Sequence, residues 1–268
     1  MPLLRRLAVC FVWSLFLGIA ALASAQEAAA PAQTKVWIDH FEEYEEFLRT
    51  APIDRLADVG QGVTKPQRAF FAPGGLAESA VVKVLARKRQ RGFWEAYHSE
   101  VAAYELDRIL GLNMVPTTVE RRIGGDNASV QLWVENAQLL SALTKEVPKN
   151  PVNWTRQVRR HRVFDALIAN IDRNSNNMLV DEEWNLILID HSRAFVKNDM
   201  PFFEKITALD RPIYEAIKAL DEATLNERLK PWLFGKKSIQ QLLERRDKIV
   251  KQLEKQLEKL PEAAVITQ

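Results

Sequence analysis

The chain has 268 residues, of which 47% are hydrophobic, with 37 Lys and Arg against 35 Asp and Glu and a single cysteine. A formal charge of +2 gives no strong electrostatic footprint for nucleic acid. The cysteine, Cys10, lies in the first apolar run, so the rest of the chain has neither disulfide nor thiol chemistry.

Met1 to Arg6, the apolar run from Leu7 to Leu22 and Ala23-Ser24-Ala25 have the basic start, apolar core and small-residue cleavage site of a signal peptide, residues 1–25, cut after Ala25. Cleavage removes Arg5 and Arg6, brings the formal charge to zero and implies a secreted or periplasmic protein. An uncleaved anchor is the competing reading, and no other segment is apolar and long enough to span a bilayer. Ala28 to Thr34 reads as a linker. Val36 to Arg49 has its apolar residues on one face and predicts a helix, so residues 26–50 form a linker and N-terminal helix.

Ile53–Val59, Arg68–Ala72 and Ala80–Ala86 read as strands, with turns at Gly60-Gln61-Gly62 and Pro73-Gly74-Gly75. Gly60 and Gly62, with Thr64 and Lys65 beside them, could let backbone N–H groups approach phosphates, although two glycines in a hairpin also read as an ordinary turn. Lys83 interrupts an apolar strand. It either faces solvent by alternation or holds the α- and β-phosphates of a nucleotide. The latter role needs an acidic partner on a nearby helix, predicted over Phe93–Leu110 and closed by Gly111. Glu100 shares a face with Ala96, Tyr97, Ala103 and Tyr104 and is the first candidate; Glu105 is the second, and Glu95 is the least inward. Arg87 to Arg91 reads as a solvated basic loop, with contact to an acidic substrate as the alternative.

Val115–Arg122 and Ser129–Glu135 complete five strands and one helix. The segment from Leu132 to Glu135 would cross to a second lobe and offer Trp133 and Glu135 to an adenine, although Trp133 reads equally as core.

A helix over Val158–Ile171 leads to the most telling stretch, Phe164 to Phe195. Met178–Val180 and Leu186–Ile189 form a hairpin that returns Asp190 toward Asp172. Asp172, with Asn177 five residues on and Asp190 eighteen residues on, is the triplet that phosphoryl transfer requires. One carboxylate, Asp172, orients the attacking hydroxyl as catalytic base. Two oxygen ligands, Asn177 and Asp190, hold a magnesium ion, or manganese, on the phosphates of ATP. A calcium loop over residues 172–183 competes, with Asp172, Asn174, Asn176 and Glu183 at ligand positions but Asn177 where glycine belongs; an ordinary polar turn is the third reading.

The motifs resemble an atypical kinase of the phosphatidylinositol 3-/4-kinase-like superfamily, related to the HipA-type toxin kinases and the Golgi secretory-pathway kinases. Asp172-Arg173-Asn174-Ser175-Asn176-Asn177 is similar to its D-R-H-x-x-N catalytic loop and Ile189-Asp190-His191 to its metal motif. Val82-Lys83-Val84 resembles its ATP-lysine strand, and Ser99 to Tyr104 its glutamate helix. The departures are Asn174 in place of the histidine and the lack of a glycine after Asp190-His191.

The resemblance implies a bacterial exported member with an α+β, bilobal protein-kinase-like fold. Residues 51–136 would form an N-lobe of antiparallel sheet plus one helix, and residues 137–268 a mostly helical C-lobe. It implies Asp172 as base, a Lys83–Glu100 ion pair, and transfer from Mg-ATP to an unknown acceptor, whether protein, sugar or small molecule. The same departures leave a non-catalytic nucleotide-binding module as the alternative.

Helices are predicted over Pro212–Leu220, Ala223–Leu229 and Ser238–Leu260. The last carries an apolar stripe, so a monomer is expected, with a coiled-coil dimer through this helix as the alternative.

Overall fold

The structure is a computed structural model and describes residues 34–60, 65–86, 88–90, 93–195 and 200–268. The signal peptide of residues 1–25, Gly62, Thr64, Arg87, Arg91, Lys197 and Asp199 lie outside the described residues.

The alternating apolar segments of the first half form β1 (Ile53–Asp58), β2 (Gln67–Phe71), β3 (Ser79–Lys83), a short hairpin of β4 (Lys88–Gln90) and β5 (Phe93–Glu95), then β6 (Thr118–Ile123) and β7 (Asp126–Leu132). Five of these pair antiparallel in the order β1-β2-β3-β7-β6, while β4 and β5 pair only with each other. Ala80 and Val82 of β3 enter an apolar core with Trp37, Tyr44, Leu48 and Val130. Period-two alternation therefore turns Lys83 to the other face.

Two helix boundaries differ from expectation. The first helix, α1, is Phe41–Thr50 rather than starting at Val36, because residues 35–40 close into turns in which Ile38 N–H donates to Lys35 and Asp39 takes φ 66°. The glutamate helix, α2, is His98–Leu110; its expected first turn is instead β5, where aromatic residues suit a strand. Gly111 ends α2 with φ 63°, a left-handed cap that glycine adopts without strain.

Past the sheet, β8 (Ala137–Leu139), a strand the sequence reading missed, joins β9 (Met178–Asp181) and β10 (Leu186–Leu188) in the order β10-β9-β8. Helix α3 runs Pro151–Leu167, seven residues earlier than its apolar rhythm suggested, because Asn150 caps it through its side chain and Pro151 fits the first turn. Helices α4 (Arg211–Ala219), α5 (Glu222–Arg228) and α6 (Ser238–Leu257) complete the lobe. Among the described residues, no helix is long and apolar enough to cross a membrane.

The apolar stripe of α6 faces the chain's own core: Leu242, Ile249 and Leu253 are fully buried, and α6 packs on α3, α4 and α5. Each such burial is worth roughly 1.5–3 kcal/mol. Leu243, Val250 and Leu257 of the same stripe are partly buried, and Leu260 is exposed.

Asp107 of α2 is fully buried, with Oδ1 accepting from the N–H groups of Met114 and Val115. Burial pushes its carboxyl up to about 7, against the Lys35 ammonium and the backbone donors that favour the charge. Its folded pKa exceeds the unfolded one, so folding takes up a proton between about pH 4 and pH 7 and stability falls as pH rises through that window. Asp107→Asn keeps an acceptor for both N–H groups. It is expected to flatten the loss of melting temperature between pH 4 and 7, measured by circular dichroism.

Candidate active site

The end of β3, the start of α2, the loop after α3 and the turn after β10 meet at one place. Lys83 is 8% exposed, which removes the solvent-facing reading. Its Nζ lies 2.5 Å from Oε1 of Glu100 and 2.9 Å from Oδ1 of Asp190. Burial alone would lower the Lys83 ammonium, but the carboxylates of Asp190 and Glu100 outweigh it and raise its pKa. Burial likewise opposes ionisation of Glu100, yet the Lys83 charge holds its carboxyl far below the usual range. Glu105, the second candidate, turns the other way and pairs with Arg228 at 2.5 Å.

Asp190 sits at φ 58°, a left-handed backbone that a non-glycine residue keeps only where its surroundings over-determine it. Three contacts do so. Lys83 holds Oδ1, the Ser192 hydroxyl donates to the same oxygen at 3.1 Å, and the N–H of His191 donates to Oε2 of Glu100 at 2.8 Å. Ser192 thus makes use of the position where glycine was expected. Oδ2 of Asp190 has no partner among the described residues, and the side chain is one-third exposed.

The loop after α3 is built around Arg173. Its guanidinium donates to the carbonyls of Asn177 and Ile189, to the carboxylate of Asp165, and meets Nε2 of His191 at 2.8 Å. Burial opposes the Asp165 charge, but Arg173 holds that carboxyl down to about 2. Ile189 N–H donates to the Asn177 carbonyl at 3.2 Å, so Asn177 lies beside Asp190. The Asn177 amide donates to the Asp172 carbonyl at 2.9 Å, so the hydrogen bonds leave its Oδ1 unused among the described residues. Asn174, in place of histidine, donates to the same carbonyl at 2.9 Å and accepts from Asn176 N–H.

The amide oxygen of Asn177 and Oδ2 of Asp190, on residues brought together by the Ile189 N–H bond to the Asn177 carbonyl, are the kind of hard donor that magnesium or manganese takes. Asp172 is half-buried, and its Oδ2 meets Arg193 at 3.1 Å. Burial raises its pKa, with Asp190 adding to and Arg193 opposing the shift.

The calcium-loop geometry is absent. Strand β9 carries the chain roughly 13 Å away from Asn177 before Glu183, which pairs with Lys149 at 3.1 Å instead of turning back to Asp172.

Other expected contacts are more peripheral. Gly60 has φ 73°, Lys65 is exposed, and the Val59 N–H donates to the Pro66 carbonyl. Trp133 is half-buried rather than core: the Arg68 guanidinium lies 3.9 Å over its ring and pairs with Glu135 at 2.9 Å. The Trp133 N–H already donates to Ser79, so that group is not open to an adenine.

Sequence reasoning missed Glu95 and Arg193. Glu95, read as the least inward glutamate, is 1% exposed, with its carboxylate 2.6 Å from Arg193. The misplaced helix start gave it the wrong face. A strand reading of Phe93-Trp94-Glu95 was the available signal.

A sheet carrying α1 and α2, set against a mostly helical lobe and joined to it at Lys83, Glu100 and Asp190, defines a protein-kinase-like fold. The chain matches no family model and no curated protein sequence. Among solved structures it is similar to hydra Fam20 with sugar, at 16% identity over 85% of this chain and 92% of that one, with a TM-score of 0.67. The Golgi casein kinase follows at 16% identity, 85% and 79% coverage and TM-score 0.64; the Mn/ADP-bound form is 17% identical. The Helicobacter pylori proinflammatory kinase CtkA is 13% identical over 80% of this chain and 98% of that one, with a TM-score of 0.55. The likeness is one of fold.

Proposed function

We propose that this protein is an ATP-dependent phosphotransferase, moving the γ-phosphoryl of Mg-ATP, or Mn-ATP, to an acceptor hydroxyl. The observation that carries the reading is the hydrogen-bonded convergence of Lys83, Glu100 and Asp190, with Asn177 and Asp172 joined to them through the loop backbone. Lys83, oriented by Glu100, would bind the α- and β-phosphates. Asp172 would accept the proton of the attacking hydroxyl, and Asn177 and Asp190 would hold the divalent ion. A bound ion supplies positive charge to the transferring phosphoryl. The Mn/ADP-bound form of the Golgi casein kinase supports a nucleotide with a divalent metal.

The finer assignment, an exported member of the phosphatidylinositol 3-/4-kinase-like superfamily, draws on the two central motifs and on residues 1–25. Gly60, Gly62 and Lys65 would cover the phosphates, with the backbone around Trp133 and Glu135 beside the adenine. A lipid acceptor has little support after the metal motif: Arg211 pairs with Glu262 and Asp210 with Arg160, which leaves Lys205 as the described cation of residues 200–212 outside an ion pair. The competing reading, nucleotide binding without transfer, draws on Arg193 holding Oδ2 of Asp172.

At a hundred times its Kd, ATP with magnesium or manganese should stabilise by about 2.7 kcal/mol and raise the melting temperature by about 5–10 °C. Asp190→Asn should abolish the shift. Stabilisation by calcium alone would overturn the reading, and ATP-dependent stabilisation without transfer of radiolabelled γ-phosphate would favour the competing one.

A further inference from the structure

Five consecutive residues, Asp190 to Ala194, are each fastened to β3, β5, α2 or the link between β5 and α2. Asp190 takes Lys83, and the His191 N–H donates to Glu100. The Ser192 carbonyl accepts from the Ala96 N–H at 3.0 Å, Arg193 pairs with Glu95, and the Ala194 carbonyl accepts from the Ser99 hydroxyl at 3.0 Å. Within this row Arg193 also reaches across to the opposite loop. Among the described residues it alone touches the Asp172 carboxylate, at 3.1 Å from Oδ2.

The guanidinium is held from behind. Oε1 of Glu95 accepts from Nε at 2.7 Å and from a terminal nitrogen at 2.6 Å, which fixes the plane and leaves the other terminal nitrogen facing Asp172. A planar fork can do both at once; a lysine ammonium, a point charge on a flexible stem, can do so only loosely. Glu95 is 1% exposed, and its Oε2 has no hydrogen-bond partner among the described residues. A buried carboxylate with one oxygen unmatched is a poor device for stability, so its use is better sought in what it holds.

We infer that Arg193, backed by Glu95, is a positioning residue that sets the direction of the Asp172 carboxylate toward the acceptor hydroxyl; this rests on the phosphotransferase reading above. The pair ties the catalytic carboxylate to the same strand-and-helix unit that carries Lys83 and Glu100. The base and the phosphate-binding lysine are thereby held in one frame. A carboxylate displaced by about 1 Å costs on the order of 100-fold in rate.

The test compares Arg193→Met, Arg193→Lys and the reversed pair Glu95→Arg/Arg193→Glu. Arg193→Met should lower kcat by about 10- to 100-fold, with the KM for ATP within about twofold and the ATP-magnesium thermal shift retained. Arg193→Lys should recover part of the loss. The reversed pair should regain the melting temperature lost in Glu95→Arg alone but not the turnover, because a glutamate at 193 repels Asp172. A crystal structure of Arg193→Met should show the Asp172 side chain in a new rotamer with the Lys83–Glu100 pair unchanged.

A kcat unchanged or raised in Arg193→Met, turnover restored by the reversed pair, or an unmoved Asp172 rotamer would overturn the inference. Should Arg193→Met not fold, Arg193→Lys and Glu95→Gln carry the same comparison. Asp172→Asn in the same assay separates the two readings: full turnover there removes the catalytic base itself, whereas the rotamer reports on Arg193 whatever the activity.

Discussion

Replacing Asp172 with asparagine is expected to cut phosphoryl transfer by about 10²- to 10⁴-fold while the protein stays folded, the range a positioned general base contributes. The substitution keeps the size of the side chain and removes only its ability to take a proton. Its structural load is small, because the loop is held by the Asp172 carbonyl, which accepts from Asn177 and Asn174, and by Arg173 beneath it. The carboxylate itself is about one-third exposed and touches only Arg193 among the described residues. Transfer of labelled phosphate, read beside a circular dichroism melt, checks both halves. Unchanged turnover, or a protein that no longer folds, would count against the role.

Lys83→Ala is the substitution expected to cost most stability, about 3–5 kcal/mol, because it leaves the 1%-exposed carboxylate of Glu100 without its cation. The pH dependence follows from the signs. The Glu100 carboxyl is depressed in the folded state, so its contribution is full above its usual value near 4.5 and is lost as pH falls through the folded one. The Lys83 ammonium is raised, so its contribution is full below about 10.5 and is lost as pH rises through the folded value. The intact pair therefore stabilises the fold throughout the window between.

In Lys83→Ala the orphaned Glu100 no longer has that support and can shed its charge by protonating. The deficit in melting temperature should be larger at pH 8 than at pH 5, and ATP with magnesium should no longer stabilise the protein. Equal deficits at both pH values would mean that the buried charge is not the cause.

The parts of the fold set by local pattern were readable from the chain. Alternation marks the five strands of the sheet, and the triplet Asp172, Asn177 and Asp190 is visible as a spacing in the sequence. What could not be read was set by partners remote in sequence. Glu95 and Arg193 lie 98 residues apart, and neither belongs to a motif. Arg173 could be seen beside Asp172, but not that it binds Asp165, Ile189 and His191 at once. Phe93 to Tyr97 fitted a helical rhythm and yet begins as a strand, because pairing with β4, which the rhythm does not show, adds to the strand preference of Phe and Trp. Lys83 was ambiguous by alternation alone. Only the helix bearing Glu100 decides which face is the buried one.

A crystal of the protein soaked with a non-hydrolysable ATP analogue and manganese, with the anomalous signal of the ion recorded, reaches the proposed chemistry most directly. Manganese density between Oδ1 of Asn177 and the Asp190 carboxylate, under a triphosphate whose α- and β-groups meet Lys83 and whose γ-group faces Asp172, is the expected result. An ion held elsewhere, or a nucleotide that leaves Lys83 and Asp190 paired only with each other, would contradict it.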